Sequence, residues 1–467
     1  MGIIVNLYKK NFLQRFDKDV AIPYYSPSDF PDLLYHENSF VNSKGIEIHY
    51  FTFSKEDPAK DKVVLFCPGI GPGHVGYLTE IAHIAREGYK VVTLDYAGCG
   101  YSKGERMPSV NEPTRDVIEL LELLKLEEEV ALVGHSLGAY TALNVIHLTE
   151  RIKKAVIISG FIDIASEMVG FVKFRFLANR VKRFEKKLDP QYGDIDNWSY
   201  LKTTTDKLLF IHSVDDGVVN FPNNAGKLAE FHNPNIKILT YQGRKHNPNY
   251  SPEAIAFMNQ SIGGYNYLVK KGELKSDEEK RAYFADKPIG KMTEQDPEVF
   301  RRIFRFIEGE EVPSLEAYEP KCEDLWFREA MMSDEKTMSY NHAWGGTIPF
   351  PKEEWKPWHE HWLIHPEGKR FYRYLKDLEG DFVGEIAYHL DKESNLYLAD
   401  VIINAKYRGR GYGGQALEML CSYAKENGVS ILWDNLAIDN PSLSMFLNHG
   451  FKEDHRTEEF IFLKREL

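Results

Sequence analysis

The hydrophobic pattern changes character along the chain. From about residue 46 to 262, short apolar runs alternate with stretches of helical period. The runs fall at 46–53, 63–67, 91–95, 130–133, 155–159, 208–212 and 236–241. Several are unbroken, as in Val130-Ala131-Leu132-Val133, a composition suited to strands covered on both faces. Helical stretches between them predict repeated crossover connections, hence a doubly wound α/β sheet. Residues 263–308 read as added helices, ending in the strongly periodic Val299-Phe300-Arg301-Arg302-Ile303-Phe304-Arg305-Phe306-Ile307. These define a first domain over 1–308. The polar stretch 309–319, with Gly309 and Pro313, breaks the pattern and is expected to be a linker. A second, aromatic-rich α/β pattern fills 320–467.

Composition narrows the class. At 467 residues the chain exceeds one ordinary hydrophobic core, in keeping with the break near 309. A formal charge of −12 argues against nucleic acid as a partner. Cys67, Cys99, Cys322 and Cys421 are scattered, with neither metal-ligand nor disulfide spacing, which fits a reducing compartment. The first ten residues lack a signal-peptide core and the Ser/Thr that myristoylation wants, and no apolar run is long enough to cross a bilayer. The expectation is a cytoplasmic soluble protein, with no membrane partner and an undetermined oligomeric state.

Val133-Gly134-His135-Ser136-Leu137-Gly138 joins an apolar run to a helical pattern. A Gly-x-Ser-x-Gly turn in that setting strains Ser136 into an exposed pose at the sheet's carboxyl edge, and Gly134 and Gly138 avoid the collisions a side chain would cause. Serine needs a base to take its proton and a carboxylate to hold that base. Asp216 follows a strand-like run and His246 lies in the loop after the last one; Asp215 is the alternate acid. Ser, Asp, His in that order resembles the α/β-hydrolase superfamily over about 40–262. The resemblance implies an α/β-hydrolase fold with a small helical cap over about 161–204. It also implies an oxyanion hole from the backbone N–H groups of Ile70, in Pro68-Gly69-Ile70-Gly71, and of Leu137. Asp95-Tyr96-Ala97-Gly98-Cys99-Gly100-Tyr101-Ser102 matches a structural turn of the same family. No cofactor is implied for this half.

In the cap, Phe171, Phe174, Ala178, Val181, Phe184 and Leu188 fall at helical spacing and are expected to turn a greasy stripe toward the site. The basic residues among them, from Lys173 to Lys187, make a solvated face or an attraction for an anionic substrate.

Near the C-terminus a strand-like run, 395–403, leads into Arg408-Gly409-Arg410-Gly411-Tyr412-Gly413 and then a helix. Glycines at a helix start let backbone N–H groups close around a pyrophosphate. Arg408-x-x-Gly411-x-Gly413, with the later Asn440…Gly450-Phe451, resembles the GNAT N-acetyltransferase superfamily over about 320–467. That resemblance implies an α+β acyltransferase fold and acetyl-CoA or another acyl-CoA as co-substrate. The phosphates would lie on Arg408, Gly409, Arg410, Gly411, Tyr412 and Gly413, and the pantetheine arm along Val401 and Ile403 beside Asn440. Many members carry a tyrosine where this chain has Phe446, which has no proton to give. Asp400 and Glu385 are candidate bases for an amine acceptor. Trp344, Trp355, Trp358 and Trp362 either cradle a cationic amine or form ordinary packing. His359, His361 and His365 lack the spacing of a metal site, so no metal is expected.

Together these features describe a bifunctional enzyme: a serine hydrolase of small esters, thioesters or amides, fused to an acyl-CoA-dependent N-acyltransferase. A hydrolase with an acyl-CoA-sensing second half, and a binding protein with both sites inactive, are the alternatives.

Overall fold

The computed structural model describes residues 3–467 except Lys173, Phe174, His232 and Glu379; for Ile3, Gly170, Phe171, Val172, Arg175 and Ala229 it describes the backbone alone. The chain divides into two units, Met1–Val312 and Pro313–Leu467.

The first unit is built on an eight-stranded sheet: β1 (Leu34–Val41), β2 (Glu47–Ser54), β3 (Lys62–Cys67), β4 (Lys90–Leu94), β5 (Glu129–His135), β6 (Lys154–Ile158), β7 (Lys207–Ser213) and β8 (Ile236–Tyr241). Their order across the sheet is β1-β2-β4-β3-β5-β6-β7-β8. From β4 to β8 the neighbours run parallel, while β1 and β2 pair antiparallel at one edge. The apolar runs of the sequence are β2 to β8. Only β1 escapes that pattern: Leu-Tyr-His-Glu-Asn-Ser-Phe-Val is a mostly exposed edge strand with nothing to bury on one face. Because β3, β5, β7 and β8 point the same way, the loops that follow them gather at one edge of the sheet, where α/β folds place ligands.

Between β6 and β7 lie the helices Ile164–Val172, Arg175–Leu188 and Asn197–Thr203. The apolar stripe of the second departs from expectation. Ala178 and Val181 are buried in the main core, and Phe184 meets Tyr8 of the N-terminal helix Ile3–Phe12, edge to face at 6.3 Å. Leu188 is exposed, while Phe174 and the side chain of Phe171 lie outside the described residues. The stripe therefore serves the body of the unit. Glu185 is buried within it, accepting hydrogen bonds from Tyr8 Oη at 2.7 Å and Ser109 Oγ at 2.5 Å. On the outer side Lys186 pairs with Asp194, and Arg180, Arg183 and Lys187 are exposed, as a solvated face requires.

The added helices end in Pro297–Glu308, whose Val299, Phe300, Ile303 and Ile307 are buried. Asp296 caps its start and Gly309, at φ 82°, ends it. Glu308 binds Lys62 Nζ at 2.9 Å and Tyr89 Oη at 2.5 Å, tying this helix to the sheet.

The second unit carries a seven-stranded sheet: β9 (Glu316–Tyr318), β10 (Arg370–Lys376), β11 (Phe382–Leu390), β12 (Tyr397–Ile403), β13 (Ile431–Ala437), β14 (Lys452–Arg456) and β15 (Phe460–Glu466), in the order β14-β15-β13-β12-β11-β10-β9. All neighbours are antiparallel except β12 and β13, which are parallel and share a single registered pair, Leu398 with Trp433. The strands therefore part beyond that pair. One face carries the helix Tyr412–Glu426 and a core with Leu417, Leu420 and Phe446; the other carries Phe327, Met331, Tyr372 and Tyr374.

The division between the units falls inside the expected linker over 309–319, and parts of that stretch are packed. Val312 belongs to the first unit, and Ser314 and Leu315 are buried. Residues Glu316–Tyr318 form β9, with Ala317 opposite Leu375. Apolar Val312 and Leu315 within a polar stretch carry this packing, which average polarity hides. A fragment of residues 313–467 is expected to melt cooperatively. A fragment starting at 320 loses the edge strand and the buried Leu315, so its Tm should fall by roughly 5–10 °C; equal melting temperatures by circular dichroism would show that β9 contributes nothing.

Candidate active sites

Strand β5 ends at His135 and the helix Leu137–Leu148 begins just after it, leaving Ser136 alone to reverse the chain. It does so at φ 56° and ψ −120°, a conformation costing about 1–3 kcal/mol for a non-glycine residue. Neighbouring backbone over-determines it: Ser136 N–H donates to Ile158 O at 2.9 Å, and Ala139 N–H returns to Ser136 O at 3.0 Å. A Cβ on Gly134 would lie 2.3 Å from Gly138 O, and one on Gly138 would lie 1.9 Å from Cys67 O. The loop after β3 thus rests directly on the start of the helix. Gly69 in that loop abuts the Ser136 side chain; a Cβ there would be 3.2 Å from the serine Cβ. Next to it, the amide hydrogens of Ile70 and Leu137 have no acceptor among the described residues, and Ser136 Oγ, partly exposed, has no hydrogen bond there.

Asp216 and His246 follow β7 and β8. His246 Nδ1–H donates to Asp216 Oδ2 at 2.8 Å. The other carboxylate oxygen accepts from the amides of Val218 at 2.8 Å and Val219 at 3.0 Å. Burial alone would raise the Asp216 pKa, but hydrogen bonds from His212 and His246 outweigh it and hold the carboxyl well below its usual range. Asp216 is therefore an anion wherever His246 needs one. Asp215 is turned elsewhere: it accepts from Ser213 Oγ at 2.5 Å and Gly243 N–H at 2.9 Å, and pairs with Lys245 at 2.9 Å. It braces the loop that carries His246, which separates the two acids.

The Asp95–Ser102 segment forms a turn built around the Asp95 carboxylate, which accepts from His74 N–H at 2.7 Å and Tyr101 N–H at 2.8 Å. Arg15 holds this turn from outside through the carbonyls of Gly100 and Gly104, at 2.7 and 2.8 Å.

In the second unit, the loop between β12 and the helix Tyr412–Glu426 has Gly409 at φ 77° and Gly411 at φ 78°. The helix starts at Gly411 without a side-chain cap hydrogen bond. Gly413 and Gly414 have a different reason to be glycine. A Cβ on either would strike Met445 Sδ at 2.8 Å or the His449 ring at 2.6 Å, where the helix Leu443–Asn448 packs across.

The serine aminopeptidase S33 family model matches residues 58–238, and the GNAT acetyltransferase family model matches residues 330–451. The chain joins an α/β-hydrolase unit to a GNAT unit. Two Arabidopsis thaliana proteins named as chloroplastic methylesterases 12 and 14 are 30% and 29% identical to it over 155 and 175 residues. These alignments cover 32% and 35% of this chain and 42% and 48% of theirs, so the chain spans less than half the length of these curated relatives. Among solved structures, the Pyrococcus furiosus esterase Pf2001 is 17% identical, with 56% of this chain and 97% of that one covered at a TM-score of 0.40.

Within the GNAT unit several expected ligand side chains are already engaged. Arg408 donates through Nε to Ile403 O at 3.1 Å and through its other nitrogens to the carbonyls of Lys336 at 3.1 Å and Thr337 at 2.5 Å. Arg410 is buried over the Tyr407 ring at 4.9 Å, and Tyr412 is a core side chain. The side chains of Arg408, Arg410 and Tyr412 are thus engaged within the unit itself. Val401 and Ile403 pack against the helix-bearing core. Asn440 Oδ1 accepts from Ser442 N–H at 2.9 Å and starts the following helix. Phe446 is buried edge-on against Phe451 at 5.2 Å.

Both carboxylate oxygens of Glu385, a candidate base, are engaged. One carboxylate oxygen is paired with Arg328 and the other accepts from Tyr372 Oη, both within a buried network. The same Arg328 meets one of the four indoles: its guanidinium lies 4.8 Å from the Trp358 ring and 5.4 Å from Phe350. Trp362 stacks on Trp358 at 5.7 Å, and Trp344 packs against Phe460 at 4.9 Å. Asp400 remains half-exposed, 3.5 Å from His389 Nδ1. Asp434, unremarked in the sequence, stands just past the single β12/β13 pair. Burial first, then Asp400, raises its carboxyl pKa well above the usual range. His359 donates to Pro320 O at 3.2 Å, and no group of three or more ligand residues that could hold a metal occurs among the described residues.

Glu167 of the hydrolase cap is the other residue the sequence did not single out, since a lone acid in an amphipathic helix has no signature. It is buried, with Oε2 unpartnered. Burial, then Asp216, raises its pKa to about 8. The folded protein therefore keeps a proton that the unfolded chain releases near 4.5, so Glu167 lowers stability progressively as pH rises from about 5 to 8. Glu167→Gln should flatten that decline. Tm measured at pH 5 and pH 8 reads it; equal declines in both proteins would mean the carboxyl is ionised and paired.

Proposed function

We propose that the first unit is a serine hydrolase that works through an acyl-enzyme, with Ser136 as nucleophile, His246 as base and Asp216 as its orienting anion. The observation that carries this reading is the 2.8 Å contact of His246 with Asp216, combined with the strained, unpartnered Ser136 at the same sheet edge. Ser136 Oγ attacks the substrate carbonyl while His246 Nε2 takes its proton. The amides of Ile70 and Leu137 stabilise the oxyanion, each worth about 3–4 kcal/mol in the transition state. His246 then gives the proton to the departing alcohol, thiol or amine, and a water molecule repeats the sequence to release the acid. The methylesterase relatives favour a small carboxylic ester as substrate. Free thiols at Cys67, Cys99, Cys322 and Cys421 support a reducing compartment such as the cytoplasm.

For the second unit we propose acyl transfer from acyl-CoA, most simply acetyl-CoA, to an amine. The Gly409–Gly413 backbone and the uncapped helix start would receive the phosphates. Asp400 would take the proton from the amine, with Asp434 beside it as a neutral acid. A second reading, an acyl-CoA sensor without transfer, is favoured by Phe446, whose buried ring leaves the usual proton donor missing. The fusion supports a shared metabolite: cleavage of an ester would free an acid and an alcohol on it, and only cleavage of an amide would free an amine for the second unit to acylate.

A fluorophosphonate probe should label the wild type and not Ser136→Ala; absence of label on the wild type defeats the hydrolase reading. Acetyl-CoA should raise Tm by a few degrees, and Gly411→Glu should abolish the shift by placing a side chain and a negative charge in the loop. No shift at saturating ligand removes coenzyme A binding; a shift without acetylated product from a panel of amines favours the sensor.

A further inference from the structure

We infer that His135, the residue before the nucleophile, is a positioning residue that clamps the His246 loop to the Ser136 turn. This inference rests on the triad proposed above. His135 is buried at 5% exposure, and its Nε2 lies 2.8 Å from the main-chain oxygen of His246. A carbonyl only accepts, so Nε2 carries the hydrogen. The other ring nitrogen, Nδ1, then has a lone pair, and Tyr77 Oη at 2.9 Å donates to it. Tyr77 thereby fixes the tautomer that the clamp needs. Its hydroxyl also lies beside the loop after β3, where a Cβ on Gly69 would be 2.3 Å from it. One imidazole therefore links the loop bearing Ile70, the turn bearing Ser136 and the loop bearing His246.

The clamp is suited to catalysis because it stays neutral. Burial, and secondarily His246, push the His135 pKa down to about 3. Its ring centroid is 4.8 Å from that of His246. When His246 takes the Ser136 proton, the new cation meets an uncharged neighbour on this side and Asp216 on the other.

The bland role for His135 is volume under the turn, and two substitutions separate it from the clamp. His135→Phe keeps a ring of similar size and removes the donor. His135→Gln changes the shape and keeps an N–H at the reach of Nε2. In the full-length protein, we expect His135→Phe to lower kcat for p-nitrophenyl acetate and the second-order rate of fluorophosphonate labelling by about 10–100-fold. KM should stay within about twofold, because the misplaced group acts in the transition state. His135→Gln should recover most of the loss. Tyr77→Phe, which frees Nδ1 to take the hydrogen, should fall between the two and covers the case in which His135→Phe does not fold.

Labelling of His135→Phe at the wild-type rate, or a His135→Gln that is slower than His135→Phe, overturns the clamp in favour of packing. A wild type that does not label at all overturns the triad reading itself, and the clamp with it; that outcome is distinct from a labelled wild type with indifferent variants.

Discussion

The hydrolase unit depends on a crowding of backbones at the end of β5. Three segments occupy the space around Gly138: the strand end at Gly134, the helix start and the loop after β3 at Cys67 and Pro68. No side chain fits there. Because the segments touch directly, Ser136 is pinned at a strained φ, the oxyanion-hole candidates lie beside it, and His135 is directed beneath the turn toward the His246 loop. The strain is affordable because packing on both faces of the parallel sheet holds each segment independently.

The two units leave different groups unsatisfied. In the hydrolase, Ser136 Oγ and the amides of Ile70 and Leu137 have no partner among the described residues, while His246 is held through Nδ1 by Asp216 and through its main-chain oxygen by His135. In the GNAT unit the charged side chains near the cleft are mostly committed. Arg408 holds three carbonyls, and Arg328 and Glu385 neutralise each other inside an aromatic shell. Asp400, near His389, and Asp434 stand where β12 and β13 part. Charge in a buried site must be paired, and this chain pairs it internally unless a reacting partner is to be received.

Much of this was legible in the sequence. Unbroken apolar runs marked β2 to β8, because central parallel strands bury both faces; β1, an exposed edge strand, has no such constraint and left no pattern. Glycine spacing marked the turn at Ser136, since collisions between backbones depend on local chain geometry. Glu385 illustrates the limit. Its position on a strand beside Asp400 suits a base, but Arg328 and Tyr372, 57 and 13 residues away, take both its oxygens. In the segment 309–319, which holds the division between the units, Val312 and Leu315 are buried, and averaging over a polar stretch cannot reveal that.

The sequence by itself determined the two-unit architecture and the serine turn, and it offered Ser136, Asp216 and His246 in that order as candidates. Each is written in local periodicity or in the steric demands of neighbouring residues. Only the tertiary structure set Asp216 rather than Asp215 against His246, laid Arg328 on Trp358, engaged both oxygens of Glu385 and brought His135 against the loop of His246. Those outcomes turn on where side chains from distant segments find hydrogen-bond partners, and partnership across the fold is set by packing that no stretch of sequence contains alone.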